Sequence, residues 1–143
     1  NCHNFIIEAD NSIWAYILDN FDDDKIHSLI VIIYLTLSKV TVSVEYILKI
    51  KEFNTDENKT LFDEEFLEEQ IELNECIDKL KTDQGKNHKA SVLTLDLNSK
   101  MEALVESIND YLSQTEYDLV WKNLAKYKFY RNHLIELEPM IKQ

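Results

Sequence analysis

Glycine and proline are almost missing from this chain of 143 residues: Gly85 and Pro139 are the only ones, where average usage would supply roughly 10 and 7. The shortage excludes the glycine-built devices of enzymes. There is no phosphate-cradling loop, dinucleotide fingerprint or Gly-x-Ser-x-Gly elbow, all of which need glycine's conformational freedom. Arginine also occurs once, at Arg131, and alanine is sparse, while Ile, Asn, Lys and Tyr abound. Part of the shortage is therefore genomic, the mark of an AT-rich coding sequence. The exclusion of glycine-built sites stands whatever its origin.

Positive charge is the second scarcity. Fifteen Lys and Arg face 27 Asp and Glu, a formal charge of −12. Phosphate backbones and anionic lipid surfaces repel such a chain, which excludes nucleic-acid binding. Long apolar runs are short too: the uncharged stretch from Ile26 to Ser38 ends at Lys39, below the roughly 18 residues of a membrane span. It reads as a buried helix.

Cysteine is limited to Cys2 and Cys76. A single bridge between them would tie down the chain start. Asn58-Lys59-Thr60 fits the N-glycosylation acceptor pattern in a polar linker, so Asn58 is a candidate glycan site. With the absence of an initiator Met, these signs favour a secreted, extracellular glycoprotein.

What is present is helical spacing. Ile26, Ile30, Ile33, Leu37, Val40, Val44 and Ile47 recur at alternating four and three residues, a heptad seam that predicts a helix of about 25 residues. Its β-branched residues leave a strand within 29–44 as the alternative. Ahead of it, Ile6, Ile13, Trp14, Ile17, Leu18 and Phe21 predict a short first helix. A third helix is expected from Thr60, where Thr60 and Asp63 stand at capping-box spacing, through Phe62, Phe66, Leu67, Leu73, Cys76, Ile77 and Leu80. Leu93, Leu97, Met101, Leu104, Ile108 and Leu112 predict a fourth, and Tyr117 to Leu137 a fifth, opened by Thr115 with Asp118 and closed by Pro139. Short linkers between long helices favour antiparallel neighbours. The expected fold is a single all-α domain over 1–143, an up-down-up-down four-helix bundle with an additional short N-terminal helix.

Candidate chemistry is thin. Asn54, Asp56, Asn58 and Glu65 fall at positions one, three, five and twelve of a calcium loop, but Lys59 holds the position that needs glycine. His3, His27, His88 and His133 share no ligand spacing. No catalytic residue, resident metal or cofactor is expected, and the chain reads as a non-enzyme. Glu64, Glu65, Glu68, Glu69, Glu72 and Glu75 stack on successive turns, a solvated acidic face that would speed encounter with a basic protein partner. The leading reading is a secreted protein-binding bundle of the immune-modulator type. The alternative is a carrier of a lipid or other apolar ligand between the helices.

Overall fold

The computed structural model describes residues 23–55 and 62–141. The first helix expected over 5–21 lies outside them. Four helices and no strand occur among the described residues: α1 (Asp23–Ile50), α2 (Glu64–Leu80), α3 (Lys86–Ser113) and α4 (Tyr117–Ile141). The strand alternative within 29–44 is replaced by continuous helix.

Contacts between helices give their directions. Asn87, at the start of α3, donates to the carbonyl of Ile141, at the end of α4, at 2.7 Å, so these two run antiparallel. Tyr34 meets Leu134 while Thr41 meets Arg131 and Glu45 meets Lys128, so α1 opposes α4. Glu69 and Gln70 meet Tyr130 and His133 in the same order, so α2 runs with α4.

α3 is the central element. Every residue from Ala90 to Leu95 is buried, the all-round burial of a core helix. One apolar cluster joins Ile26, Ile30, Ile33 and Leu37 of α1 to Phe66, Leu73, Ile77 and Leu80 of α2 and to the facing parts of α3 and α4. A second, at the end that the shorter α2 does not reach, holds Val44, Leu48, Ile108, Val120 and Leu124.

The α1 seam departs from its expected course. Its buried line runs Ile26, Ile30, Ile33, Leu37, Thr41, Val44, Leu48, leaving Val40 and Ile47 half-buried. A straight helix has 3.6 residues per turn and drifts about 20° per heptad against a 3.5 repeat. By the second heptad the inward line has moved one residue along.

The helix ends correct several expectations. α2 starts at Glu64, not Thr60: Asp63 is the N-cap, and its Oδ1 accepts from the Phe66 amide at 2.7 Å. Thr115 caps no helix start. It has φ 57° and closes α3, with Thr115 N donating to Leu112 O and Glu116 N to Tyr111 O, a Schellman motif. α1 ends in the same way at Glu52, φ 59°, with Glu52 N on Lys49 O and Phe53 N on Leu48 O. The lone glycine does none of this work, since Gly85 sits at the α3 N-cap with φ −91°. Pro139 lies inside α4 rather than closing it. Having no N–H, it leaves the Ile135 carbonyl without its usual i+4 donor.

Candidate functional site

The acidic face of α2 is built outward from its cap. Asp63 fixes the first turn, and Glu64 and Glu65 in that turn complement the helix dipole. Phe66, Gln70, Leu73, Cys76, Ile77 and Leu80 then face the core. On the other side Glu64, Glu65, Glu68 and Glu75 are exposed, and Glu69 and Glu72 are half-buried. Leu67 belongs to this outer face, not to the core as its sequence neighbours suggested: it is 40% exposed, and Ile71, one turn on, is 58% exposed. Positions 64, 67, 68, 71, 72 and 75 share one side of a helix by their spacing. The result is two apolar side chains inside a carboxylate frame.

The inner edge of that face is tied to α4 by polar contacts that pattern reading missed. Tyr130 donates its hydroxyl to Glu69 Oε1 in a short hydrogen bond. His133 Nε2 and Gln70 Oε1 lie 2.7 Å apart within the core. Gln70 Nε2 is 3.5 Å from Glu69 Oε1, which turns the Gln70 carbonyl oxygen toward the imidazole, so a neutral His133 donates through Nε2–H. Burial pushes the His133 pKa below its ordinary value, against an opposing pull from Glu69. The Tyr130 pKa is pushed upward, first by burial and then by its bond to Glu69. None of these residues shows a spacing that marks the pairs in sequence.

Aromatic rings complete the joint. Phe66 stacks on Phe62 at 5.0 Å and meets Phe129 and Tyr130 edge-on at 5.6 and 6.0 Å. Lys126 Nζ sits over the Phe66 ring at 5.3 Å. Two further cations of α4 turn toward α1: Lys128 pairs with Glu45 at 2.5 Å, and Arg131 Nη1 donates to Thr41 at 3.3 Å. Arg131 Nε is buried without a hydrogen-bond partner.

Other candidate sites fare differently. Of the calcium-loop positions, Asn54 and Glu65 are described, while Asp56 and Asn58 lie outside the described residues. Among the described residues no three His, Cys, Asp or Glu side chains gather as a metal site. An apolar cleft between α1 and α4, bordered by His27, Val31, Tyr34, Leu35 and Glu138, measures about 210 Å³, below the roughly 300–1,000 Å³ of ordinary ligand pockets. A larger cleft of about 560 Å³ is edged by Glu45, Lys49 and Glu52 on one hand and Phe53 and Trp121 on the other, a mixed charged and aromatic lining.

No curated protein and no solved structure matches the chain. A family model does, over residues 62–138, from just before the Asp63 cap to the last turn of α4: the HSCB C-terminal oligomerisation domain. This finding overturns the secreted, extracellular immune-modulator reading, because an HSCB-type domain is a co-chaperone domain of iron–sulphur cluster assembly and points to an intracellular protein. The glycoprotein expectation at Asn58 falls with it. The disulfide expectation for Cys2 and Cys76 falls with the secreted reading as well, since bridges belong to oxidising compartments; Cys76 is fully buried on the core side of α2, and Cys2 lies outside the described residues. The match takes in α2 and α3 whole, nearly all of α4, and more than half of the chain, and on that extent the chain belongs to the family of HSCB C-terminal oligomerisation domains.

Proposed function

We propose that this chain is a non-enzymatic, intracellular protein-binding domain of the co-chaperone type, serving iron–sulphur cluster assembly, and that its partner docks on the outer face of α2. The family match over α2–α4 carries the reading, because HSCB co-chaperones bind proteins. The α2 face supplies what such docking needs. Leu67 and Ile71 are anchors that leave water on binding, and Glu64, Glu65, Glu68, Glu72 and Glu75 form a rim that favours a basic partner surface.

Isothermal titration of the chain with the purified iron–sulphur assembly proteins that HSCB co-chaperones bind tests this. Ile71→Ser should weaken binding at least roughly 10-fold. Glu68→Lys with Glu75→Lys should slow association and flatten its salt dependence. Neither change touches the core, so the circular dichroism spectrum should not move. Unchanged affinity in both variants would refute the assignment of this face.

A further inference from the structure

α1 carries a second apolar stripe that no part of the described bundle covers. Ile32, Leu35, Val42 and Tyr46 are 56%, 64%, 65% and 63% exposed, and Val31 and Ile50 flank them. Their spacing of three, seven and four residues is a heptad seam with Lys39 in the missing position. Leu35 lies two residues from the buried Leu37, about 200° around the helix, so the stripe is turned away from the buried line, and only its Val31 and Leu35 edge borders the cleft toward α4. By length and composition Asp24–Ile50 would suffice to cross a membrane, yet its inner line is built into both core clusters.

We propose that two copies of this chain associate through this outer face of α1, packed as an antiparallel pair. Area is the first argument. The six side chains expose on the order of 600 Å² of apolar surface, at or above the largest patch of a typical monomer. Buried on both copies, that is about 1,200 Å² in all, the low end of the range for specific complexes. Self-complementarity is the second: a straight stripe on one helix meets its own copy about a two-fold axis. An antiparallel layering sets Ile32 by the partner's Lys49, Leu35 by the partner's Tyr46 and Lys39 by the partner's Val42. Parallel pairing in register would instead oppose Lys39 to the partner's Lys39 in the seam, which like charges disfavour. The net charge of −12 and a lysine in mid-stripe argue against a lipid surface as the occupant. The family model, whose description names oligomerisation, begins after α1, so this interface adds to whatever α2–α4 do and uses no residue of the α2 face.

Sedimentation equilibrium of the full chain across the micromolar range decides the matter. The wild type should be a dimer. Leu35→Glu, at a position outside the core, should weaken dimerisation at least roughly 30-fold. Lys39→Leu should tighten it, and Ile71→Glu on α2 should leave it unchanged. A wild type that stays monomeric at every concentration overturns the proposal. So does a dimer that Leu35→Glu leaves intact, one that Ile71→Glu dissolves, or a monomer that binds phosphatidylcholine vesicles through Leu35.

Discussion

Replacing Thr115 with glycine should stabilise this protein. At φ 57° an L-residue brings Cβ close to the following carbonyl, which costs roughly 1–2 kcal/mol, and a β-branched side chain sits there least well. Glycine removes that penalty but gives the unfolded chain more freedom, returning roughly 0.4–1 kcal/mol. Little else is lost, because Thr115 is exposed and its hydroxyl bonds only to the neighbouring Gln114 carbonyl, at 2.6 Å. The two Schellman bonds use backbone groups that glycine keeps. A net gain of about 0.5–1 kcal/mol corresponds to a Tm rise of about 2–4 °C for a domain of this size. Differential scanning calorimetry measures it, with Thr115→Ala as the control: alanine keeps Cβ at positive φ and should melt within about 1 °C of wild type. A Tm for Thr115→Gly at or below that of wild type would refute the strain argument.

Four further outcomes are expected. Leu37→Ala, in the buried α1 line, should cost roughly 2–5 kcal/mol in urea unfolding, while Leu35→Ala on the outer face of the separated monomer should cost well under 1 kcal/mol. Stability should fall as pH drops below about 6.5 toward the lowered pKa of His133, because the unfolded chain then binds a proton that the folded chain refuses. The slope is at most about 1.4 kcal/mol per pH unit, and His133→Gln should remove this share of it. In a Cys2→Ser background the Cys76 side chain should resist a thiol reagent until urea unfolds the chain, because it is fully buried; rapid labelling of the native protein would contradict its burial. Tyr130→Phe should cost roughly 1–3 kcal/mol by leaving Glu69 one donor short, and a neutral result would show that water replaces the hydroxyl.

Periodicity made the helices legible, since apolar burial follows the 3.6-residue turn whatever the partner helix is. It failed where one motif has two readings. Thr115 with Asp118 resembles a capping box, yet Thr115 belongs to the end of the preceding helix, because a left-handed residue there satisfies the Leu112 and Tyr111 carbonyls. Leu67 resembled core because it adjoins Phe66, but adjacent helical residues point about 100° apart. The outer stripe of α1 was hidden by the inner one, both being made of the same β-branched and aliphatic types. Glu69 with Tyr130 and Gln70 with His133 are 61 and 63 residues apart, and only the folded topology joins them. Glycine scarcity proved permissive of sharp turns after all, for Glu52 and Thr115 make them at positive φ.

The polar joint between α2 and α4 also decides which neighbours are tolerated. Leucine and phenylalanine pack acceptably against many partners, so an apolar interface alone leaves α2 able to slide by a turn along α4 at modest cost. Tyr130 to Glu69 and His133 to Gln70 allow no such sliding. A shift of one turn would bury an imidazole and a phenol without partners, a loss of several kcal/mol. The joint acts as a vernier, giving two smooth helices a single permitted alignment and holding the outward face of α2 at a fixed height on the bundle.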